Sequence, residues 1–295
     1  MLHPLRPSCT FIRACVTAVA ALSGALSGTA AAATGPDGYP VAGEEVPSPI
    51  TDHFDMRISY FRPSLKSELR VDPSGEPLGG TPLSGQTDLG WPVRANQGRL
   101  ELAFRLRERN RMRVDYLNLG LSGAATLTNP VIFGGTAQQP LVFAKGSEVT
   151  SSVSWRMMGF TYTRSFIRTS HFELGAGLGI HLLDADAMGA VPAQVISHEV
   201  SAAGAFPTLA VDGIWRISRR FAFTARGQYF GTTIHGFTGA LADYHGDLQY
   251  RWSSPFAIGI GYSEISVKYQ SLTQGTPGRY YQQLRGPEAF VRISF

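Results

Sequence analysis

Apolar side chains occupy every second position in about ten segments between Phe54 and Phe295. The segment 172–182 shows the pattern clearly, because Leu174, Leu178 and Ile180 alternate there with glycine residues. Successive side chains of a β-strand point to opposite faces, so this period predicts strands with one apolar and one polar face. After residue 33 the sequence has no run of about 18 apolar residues, the length that a membrane-spanning helix requires. The chain is therefore predicted to be all-β.

The predicted connections between these segments alternate in length. The short ones fall at residues 107–110, 168–171, 218–220 and 253–255. The longer ones fall near residues 72–96, 128–146, 184–197, 232–239 and 271–278. Membrane barrels have short turns at one end and longer loops at the other, whereas a soluble β-sandwich has no reason for that order. We therefore predict a transmembrane up-and-down antiparallel β-barrel of about ten strands, with eight or twelve as alternatives.

The apolar positions change parity within three of the predicted strands. The changes fall near Tyr116, near Met157 and at Ser263–Glu264. If the apolar face points outward to lipid along the whole strand, each change needs one extra residue in the strand. We therefore predict a β-bulge at each of the three places.

The chain ends on a strand pattern, with Val291, Ile293 and Phe295 on one face and an aromatic side chain at the last position. Chain termini fray unless they are tied down. In this ending the chain resembles bacterial outer-membrane β-barrels, whose last strand closes the barrel and is recognised by the assembly machinery. The resemblance implies that Val291, Ile293 and Phe295 form an assembly signal, and that the barrel-assembly machinery is a partner during biogenesis.

The N-terminal sequence has the features of a secretory signal peptide. Arg6 and Arg13 supply its positive charge, residues 14–26 form its apolar core, and cleavage is predicted after Ala33. A membrane anchor is the alternative, but the apolar run is shorter than the ~20 residues of a spanning helix. The predicted organisation is a signal peptide at 1–33, a flexible periplasmic segment at 34–51 and an outer-membrane barrel at 52–295.

Three segments carry a resemblance to a group of proteins. Residues 98–104, 113–119 and 173–179 resemble the repeated strands of small uncharacterised proteobacterial outer-membrane β-barrel proteins. The likeness is one of pattern along the mature chain and includes no signature of chemistry. It implies a location in the cell outer membrane, in contact with outer-membrane lipid and lipopolysaccharide. It implies nothing about the oligomeric state.

Composition excludes several classes of function. Both cysteines, Cys9 and Cys15, lie in the signal segment, so the mature chain lacks zinc thiolates, disulfides and cysteine nucleophiles. The net charge is only +4 and the basic residues are scattered, which argues against nucleic acid as a partner. The glycine-rich stretch 175–179 lies within a strand and opens no helix, so it is not a phosphate loop. We predict no cofactor, no metal site and no catalytic residue.

Charged side chains alternate with the apolar ones and are predicted to face the barrel lumen. A ten-stranded barrel has an interior little wider than its side chains, so opposite charges there should pair, since an unpaired buried charge is costly. Two interpretations stay open: a salt-bridged lumen with no continuous pore, and a narrow channel lined by the charges. The predicted lumen network consists of Asp55, Arg57, Arg99, Glu101, Arg105, Arg113, Asp115, Arg164, Glu173, Asp212, Arg216, Arg226, Asp247, Arg251, Glu264, Lys268, Glu288 and Arg292.

Four residues suggest a catalytic alternative. Asp184 and Asp186, together with Asp243 and His245, resemble the two pairs with which omptins, ten-stranded outer-membrane proteases, activate water. Asp186 and Asp243 are only 57 residues apart, too close for placement across the barrel. We therefore expect Asp184 and Asp186 at a loop tip and His245 as a hydrogen-bonding group in the lumen. The predicted function is a structural or ligand- and partner-binding barrel, with a porin-like narrow passive channel and an omptin-like protease as alternatives.

Overall fold

The computed structural model describes residues 47–191, 196–234, 237–272 and 277–295, and within them the fold is built from β-strands. The predicted signal peptide and residues 34–46 lie outside the described residues. Among the described residues, no helix has the length and apolar character needed to cross a membrane. The strands are β1 (Phe54–Phe61), β2 (Ser64–Val71), β3 (Leu83–Ser84), β4 (Gln97–Arg107), β5 (Asn110–Thr126), β6 (Val131–Gly135), β7 (Pro140–Phe143), β8 (Glu148–Arg168), β9 (Phe172–Val191), β10 (Ile196–Arg216), β11 (Phe221–Ile234), β12 (Phe237–Arg251), β13 (Phe256–Ser271) and β14 (Gly278–Ser294).

Ten antiparallel units, each a single strand or the interrupted strand formed by β1 and β2, close into a barrel, and we call each unit a stave. Their order is β1, β4, β5, then β8 to β14 in sequence, and the pairing of β14 with β1 closes the cylinder. β1 and β2 together form one stave, because β1 pairs with residues 288–294 of β14 and β2 pairs with residues 278–285. The stave is interrupted at Arg62–Pro63, where proline has no backbone N–H to donate. The predicted fold class, an up-and-down antiparallel barrel of about ten strands, is confirmed.

The two ends of the barrel differ in part as the predicted connection lengths indicate. At the short-turn end, β4 joins β5, β8 joins β9, β10 joins β11 and β12 joins β13. At the loop end lie two long connections, one between β2 and β4 that includes β3 and one between β5 and β8 that includes the separate hairpin of β6 and β7. The connections from β9 to β10 and from β11 to β12, at the same end, are as short as the turns.

Two predicted loops are wrong, because much of residues 184–197 and 232–239 belongs to strands. β9 runs to Val191, and β11 runs to Ile234. An antiparallel ladder satisfies the backbone hydrogen-bonding groups whatever the side chains are, so the strands continue after the apolar alternation stops.

The outer surface is apolar around the short-turn half of the barrel. Leu178 is 65 % exposed and Ile260 is 67 % exposed, and both point away from the lumen. An exposed apolar band of this kind is the surface that a bilayer covers in a membrane barrel. Other members of the band are Ile58, Leu100, Met112, Tyr116, Tyr162, Phe166, Ile180, Leu182, Leu209, Val211, Trp215, Phe223, Leu248, Trp252, Ile258 and Val291.

The pattern is inverted in the loop-end half, where the outer surface is polar and the interior is apolar. On β5, Leu117, Leu119 and Leu121 are buried, while Asn118 and Ser122 are exposed. The inward positions keep the same parity from one end of the strand to the other. Each face therefore changes from polar to apolar, or the reverse, along the strand, while the backbone alternation stays regular.

The predicted bulges near Tyr116, near Met157 and at Ser263–Glu264 are therefore wrong. The pairing of β5 with β8 is unbroken from residue 110 to 126, and that of β13 with β14 is unbroken from 256 to 271. Within the barrel sheet, the register shifts among the described residues lie at the short-turn end, between Arg105 and Arg107 in β4 and between Ser165 and Ile167 in β8.

A stretch of the first long connection enters the loop end of the barrel. In this mouth segment, defined as residues 83–91, the side chains of Leu83, Leu89 and Trp91 are buried. The indole N–H of Trp91 donates a 2.8 Å hydrogen bond to the inward hydroxyl of Ser151. Gly90 has a φ of 69° and its backbone lies so close to β5 that a Cβ would sit 2.3 Å from the Ala124 carbonyl oxygen. The segment therefore packs against the inner wall.

Candidate functional site in the barrel lumen

The lumen of the short-turn half is filled by charged and polar side chains. These residues, which we term the charged layer, share inward positions on neighbouring strands and are mostly buried. Their pairing distributes the charges over several local clusters. The charged layer consists of Asp52, Asp55, Arg57, Arg99, Glu101, Arg105, Arg111, Arg113, Asp115, Glu173, Asp212, Arg226, Asp243, His245, Asp247, Arg251, Glu288 and Arg292.

At the short-turn end, the chain that precedes β1 closes the lumen. Asp52 forms ion pairs with Arg251 and, at 3.1 Å, with Arg292. The guanidinium of Arg111 donates a 2.7 Å hydrogen bond to the carbonyl oxygen of Pro49. Residues 47–51, which belong to the segment predicted to be flexible, thus pack into the short-turn end of the lumen and contact arginines of the barrel wall.

The next cluster joins β1, β12, β13 and β14. Arg57 bonds Asp247 at 2.8 Å and also Glu288, and its guanidinium carbon lies 3.6 Å from the centre of the Phe290 ring. His245 bonds Asp247 at 2.7 Å through Nε2 and the Ser263 hydroxyl at 2.7 Å through Nδ1. The imidazole is thus held at both nitrogens, as expected for a hydrogen-bonding group in the lumen.

Two further clusters join residues of β4, β5, β8, β9 and β10. Arg105 donates hydrogen bonds from two nitrogens to the Glu173 carboxylate, at 2.9 and 2.8 Å. This is the bidentate geometry in which guanidinium–carboxylate pairs are strongest. Arg113 bonds Asp212 at 3.2 Å, and the Thr163 hydroxyl donates to the same carboxylate at 2.8 Å.

The innermost cluster lies where the charged layer meets the loop-end half. Arg99 uses one nitrogen, Nη2, to contact Asp243 at 2.7 Å and Asp115 at 3.3 Å. Arg226 and Glu101 form their own pair at 2.6 Å.

Beyond this cluster, an apolar layer fills the lumen. Small cavities of about 30 and 50 Å³, lined almost entirely by apolar side chains, remain in it. The described part of the lumen is therefore filled by two layers of opposite character. The apolar layer consists of Phe61, Leu65, Leu69, Leu83, Leu89, Trp91, Leu117, Leu119, Leu121, Val149, Val153, Trp155, Met157, Leu183, Phe206, Leu241, Ile265, Val267 and Leu284.

Three residues of the predicted lumen network are misplaced. Arg164, Glu264 and Lys268 have the outward parity of their strands, and Glu264 pairs on the outer face with Arg285. The error in Glu264 and Lys268 follows from the bulge predicted in β13, which would have turned them inward. Arg216 keeps the inward parity and lies half-buried at the short-turn end. The structure brings the other fourteen together in the charged layer.

Sequence reasoning left several lumen residues out of the network. Asp243 shares the parity of Asp247 and Arg251, so the alternation of β12 contained the signal. Arg111 likewise shares the parity of Arg113. Asp52 precedes the first strand, where no periodicity applies, and its role depends on where the turn places it.

The four residues of the protease alternative do not face one another. Asp184 and Asp186 lie on the outer face of β9, half-exposed, within 3.4 and 3.6 Å of Arg156. Asp243 and His245 point into the lumen and are buried. The two pairs are separated by the barrel wall.

Comparison with known proteins shows which solved structures have a similar fold. No protein-family model matches the sequence, and no curated protein matches it. Among solved structures, the outer membrane protease OmpT from Escherichia coli aligns over 82 % of this chain and 96 % of its own, with a TM-score of 0.53 and 9 % identity. The translocator domain of the autotransporter NalP from Neisseria meningitidis covers 97 % of both chains, at 10 % identity and a TM-score of 0.39.

The likeness to OmpT, at this level of identity, shows a shared fold and nothing about chemistry. The fold and the filled lumen define a closed ten-stranded barrel of the type found in outer-membrane proteins.

Proposed function

We propose that this protein is an integral outer-membrane barrel with a closed lumen, which works through its loop end as a structural or partner-binding protein. The observation that carries the proposal is the succession of two filled layers. Paired charges fill one half of the lumen and packed apolar side chains fill the other. A passive channel needs a continuous polar path, and the packed apolar side chains of the described lumen support a closed barrel instead.

The proposed orientation places the short-turn end in the periplasm and the loop end outside the cell. Short periplasmic turns and longer external loops are the rule in bacterial outer-membrane barrels. The loop-end half projects beyond the apolar band, which gives it a water-exposed outer wall. Its polar outward residues, such as Asn118, Arg156 and Asp184, support this assignment.

The loop end carries the surface we propose for partner binding. Leu78 and Val93 lie in the first long connection and Val142 lies in β7, and all three are largely exposed. Exposed apolar side chains in the long connections of a barrel suit a contact with another macromolecule or with the outer leaflet, where lipopolysaccharide resides.

Planar-bilayer recording tests the closed lumen. Purified protein should show no steady single-channel conductance, while a variant that lacks the mouth segment and carries Leu119→Ser and Trp155→Ser should show more frequent openings. Steady conductance of the unaltered protein would favour the narrow passive channel.

We further propose that the protein is not a protease, because its acid pair and its Asp–His pair lie on opposite faces of the wall. Purified refolded protein with added lipopolysaccharide should leave peptides intact. Cleavage that both Asp243→Ala and His245→Ala abolish would make the omptin-like function the leading one.

Assembly is proposed to depend on the last residue. The Phe295 amide donates to the Phe54 carbonyl at 2.9 Å, its carbonyl accepts from His53 at 2.7 Å, and its ring stacks on that of Phe54. Deletion of Phe295 should lower the amount of folded protein in the outer membrane, measured by heat-modifiable mobility on gels. Normal abundance of the deleted form would remove Phe295 from the proposed assembly signal.

A further inference from the structure

Three side chains of types that can bind metal ions meet at the boundary between the charged and apolar layers. Asp115 projects from β5, His181 from β9 and Asp243 from β12, and all three are buried. One ligand atom from each lies within 4.8 Å of the other two. The residues come from three separate staves, so only the closed barrel brings them together.

The cluster contains polar atoms that the described protein atoms leave unpartnered. His181 has no exposed surface, and neither Nδ1 nor Nε2 has a hydrogen-bond partner among the described residues. The same holds for Oδ2 of Asp115 and Oδ1 of Asp243. Buried polar atoms are nearly always paired. His245, the other buried lumen histidine, follows that rule with both nitrogens bonded.

The wall next to the cluster is shaped to leave space. Gly159 on β8 faces the lumen at this level and pairs with His181. A Cβ at this position would lie 2.4 Å from Oδ2 of Asp115 and 2.9 Å from Nε2 of His181. Any larger residue would therefore push into the unpartnered ligand atoms themselves.

The local charge balance favours a cation. Asp115 and Asp243 share a single guanidinium nitrogen of Arg99, through Oδ1 of Asp115 and Oδ2 of Asp243. The neighbouring arginines are matched elsewhere, since Arg113 bonds Asp212 and Arg226 bonds Glu101. Two carboxylates thus pair with one guanidinium, and one oxygen of each, Oδ2 of Asp115 and Oδ1 of Asp243, has no partner among the described residues.

We propose that Asp115, His181 and Asp243 bind a divalent transition-metal cation, with Zn²⁺ as the best match. One imidazole nitrogen with two carboxylate oxygens is a ligand set that Zn²⁺ accepts, at bond lengths of about 2.0–2.2 Å. Small side-chain rotations bring three atoms within 4.8 Å of one another to that distance. Hard cations such as Ca²⁺ and Mg²⁺ prefer oxygen ligands alone, and so fit less well.

The metal site would link β5, β9 and β12 at the level where the lumen changes from charged to apolar. It would hold the boundary together as a structural centre, independent of what the loop end binds. The proposal thus goes beyond the proposed function.

The test uses untagged mature protein folded in detergent with Zn²⁺ present during folding, and in parallel with Zn²⁺ added afterwards. Metal content after gel filtration, measured by mass spectrometry, should be about one Zn²⁺ per chain in the first sample. The Zn²⁺-folded protein should also unfold at a higher temperature. Substitution of Co²⁺ should give the absorption bands of a low-symmetry nitrogen and oxygen site.

His181→Gln, Asp115→Asn and Asp243→Asn should each lose the bound metal, and Gly159→Ala should lose it by filling the space. The matched control is His171→Gln, since His171 is an exposed histidine in the turn between β8 and β9. It should retain one Zn²⁺ per chain. Heat-modifiable mobility identifies the variants that fold.

Two results would overturn the proposal. The first is wild-type protein that holds well under one tenth of an equivalent of Zn²⁺ after both procedures. That result would mean that buried water, and not a metal ion, pairs with the polar atoms of the cluster. The second is metal retained in folded His181→Gln. If the variants fail to fold, X-ray absorption of the wild-type Zn²⁺ form decides, because one imidazole ligand is required and an oxygen-only shell contradicts the site.

Discussion

The charged layer and the apolar layer fill the same cylinder by opposite means. Arg57 and Asp247 lie inward in the short-turn half, and Leu119 and Trp155 lie inward in the loop-end half. The outer surface changes in the opposite sense, from exposed Leu178 to polar side chains. One continuous sheet thus has two arrangements: its short-turn half has the apolar outer surface and polar interior of a membrane barrel, and its loop-end half has the polar outer surface and apolar core of a water-soluble barrel.

The two layers also differ in why a substitution would lower the stability of the fold. In the charged layer, loss of one partner leaves a buried charge without compensation, which costs about 3–5 kcal/mol. In the apolar layer, loss of methyl groups leaves a cavity, and the cost depends on how far the neighbours can relax.

The largest effect is expected from charge reversal in the charged layer. Arg251→Glu would place a carboxylate against Asp52 and should lower the free energy of unfolding by at least about 3–5 kcal/mol. Urea or thermal unfolding in detergent measures it. Lys145→Glu, an exposed change in the loop before β8, is the control and should alter the midpoint little. Equal midpoints for the two variants would mean that Arg251 is solvated.

Truncation in the apolar layer is expected to come next. Leu119→Ala removes a side chain with no exposed surface, and should cost about 2–5 kcal/mol in the same assay. Asn118→Ala, its exposed neighbour on the outer face of β5, should change stability by less than about 0.5 kcal/mol. A small effect of Leu119→Ala would show that the loop-end interior is loosely packed.

The cost in folding stability of a new charge on the outer face should differ between the two halves of the barrel. Leu178→Arg lies in the apolar band and should cost about 2–4 kcal/mol of folding stability in lipid vesicles. Asn118→Arg carries the same new charge on the outer face of the loop-end half and should cost almost nothing. Similar costs at both positions would contradict the division of the outer surface into lipid-facing and water-facing halves.

The smallest effect is expected from the ion pairs on the outer wall. Asp184→Asn weakens a half-exposed contact with Arg156, and should change the free energy of unfolding by less than about 1 kcal/mol. Asp247→Asn, which weakens the buried contacts with Arg57 and His245, should cost more than twice as much. Comparable losses would mean that Asp184 has a buried role.

Sequence alternation was enough to predict the fold class and a count of about ten strands, with eight or twelve left open, and the turn spacing predicted two of the long connections. The alternation also identified most of the charged layer, because Arg99, Glu101, Arg113 and Asp115 keep one parity along their strands. These features depend on local period and on turn spacing, which are readable one strand at a time.

Only the tertiary structure decided which side of the wall each face meets. A period of two has two solutions, apolar outward or apolar inward, and the strand itself does not distinguish them. Reading every apolar face as outward led to bulges near Tyr116 and Met157 that do not exist. Ion-pair partners and the grouping of Asp115, His181 and Asp243 depend on barrel closure, because residues far apart in sequence become neighbours only when ten staves are held in register.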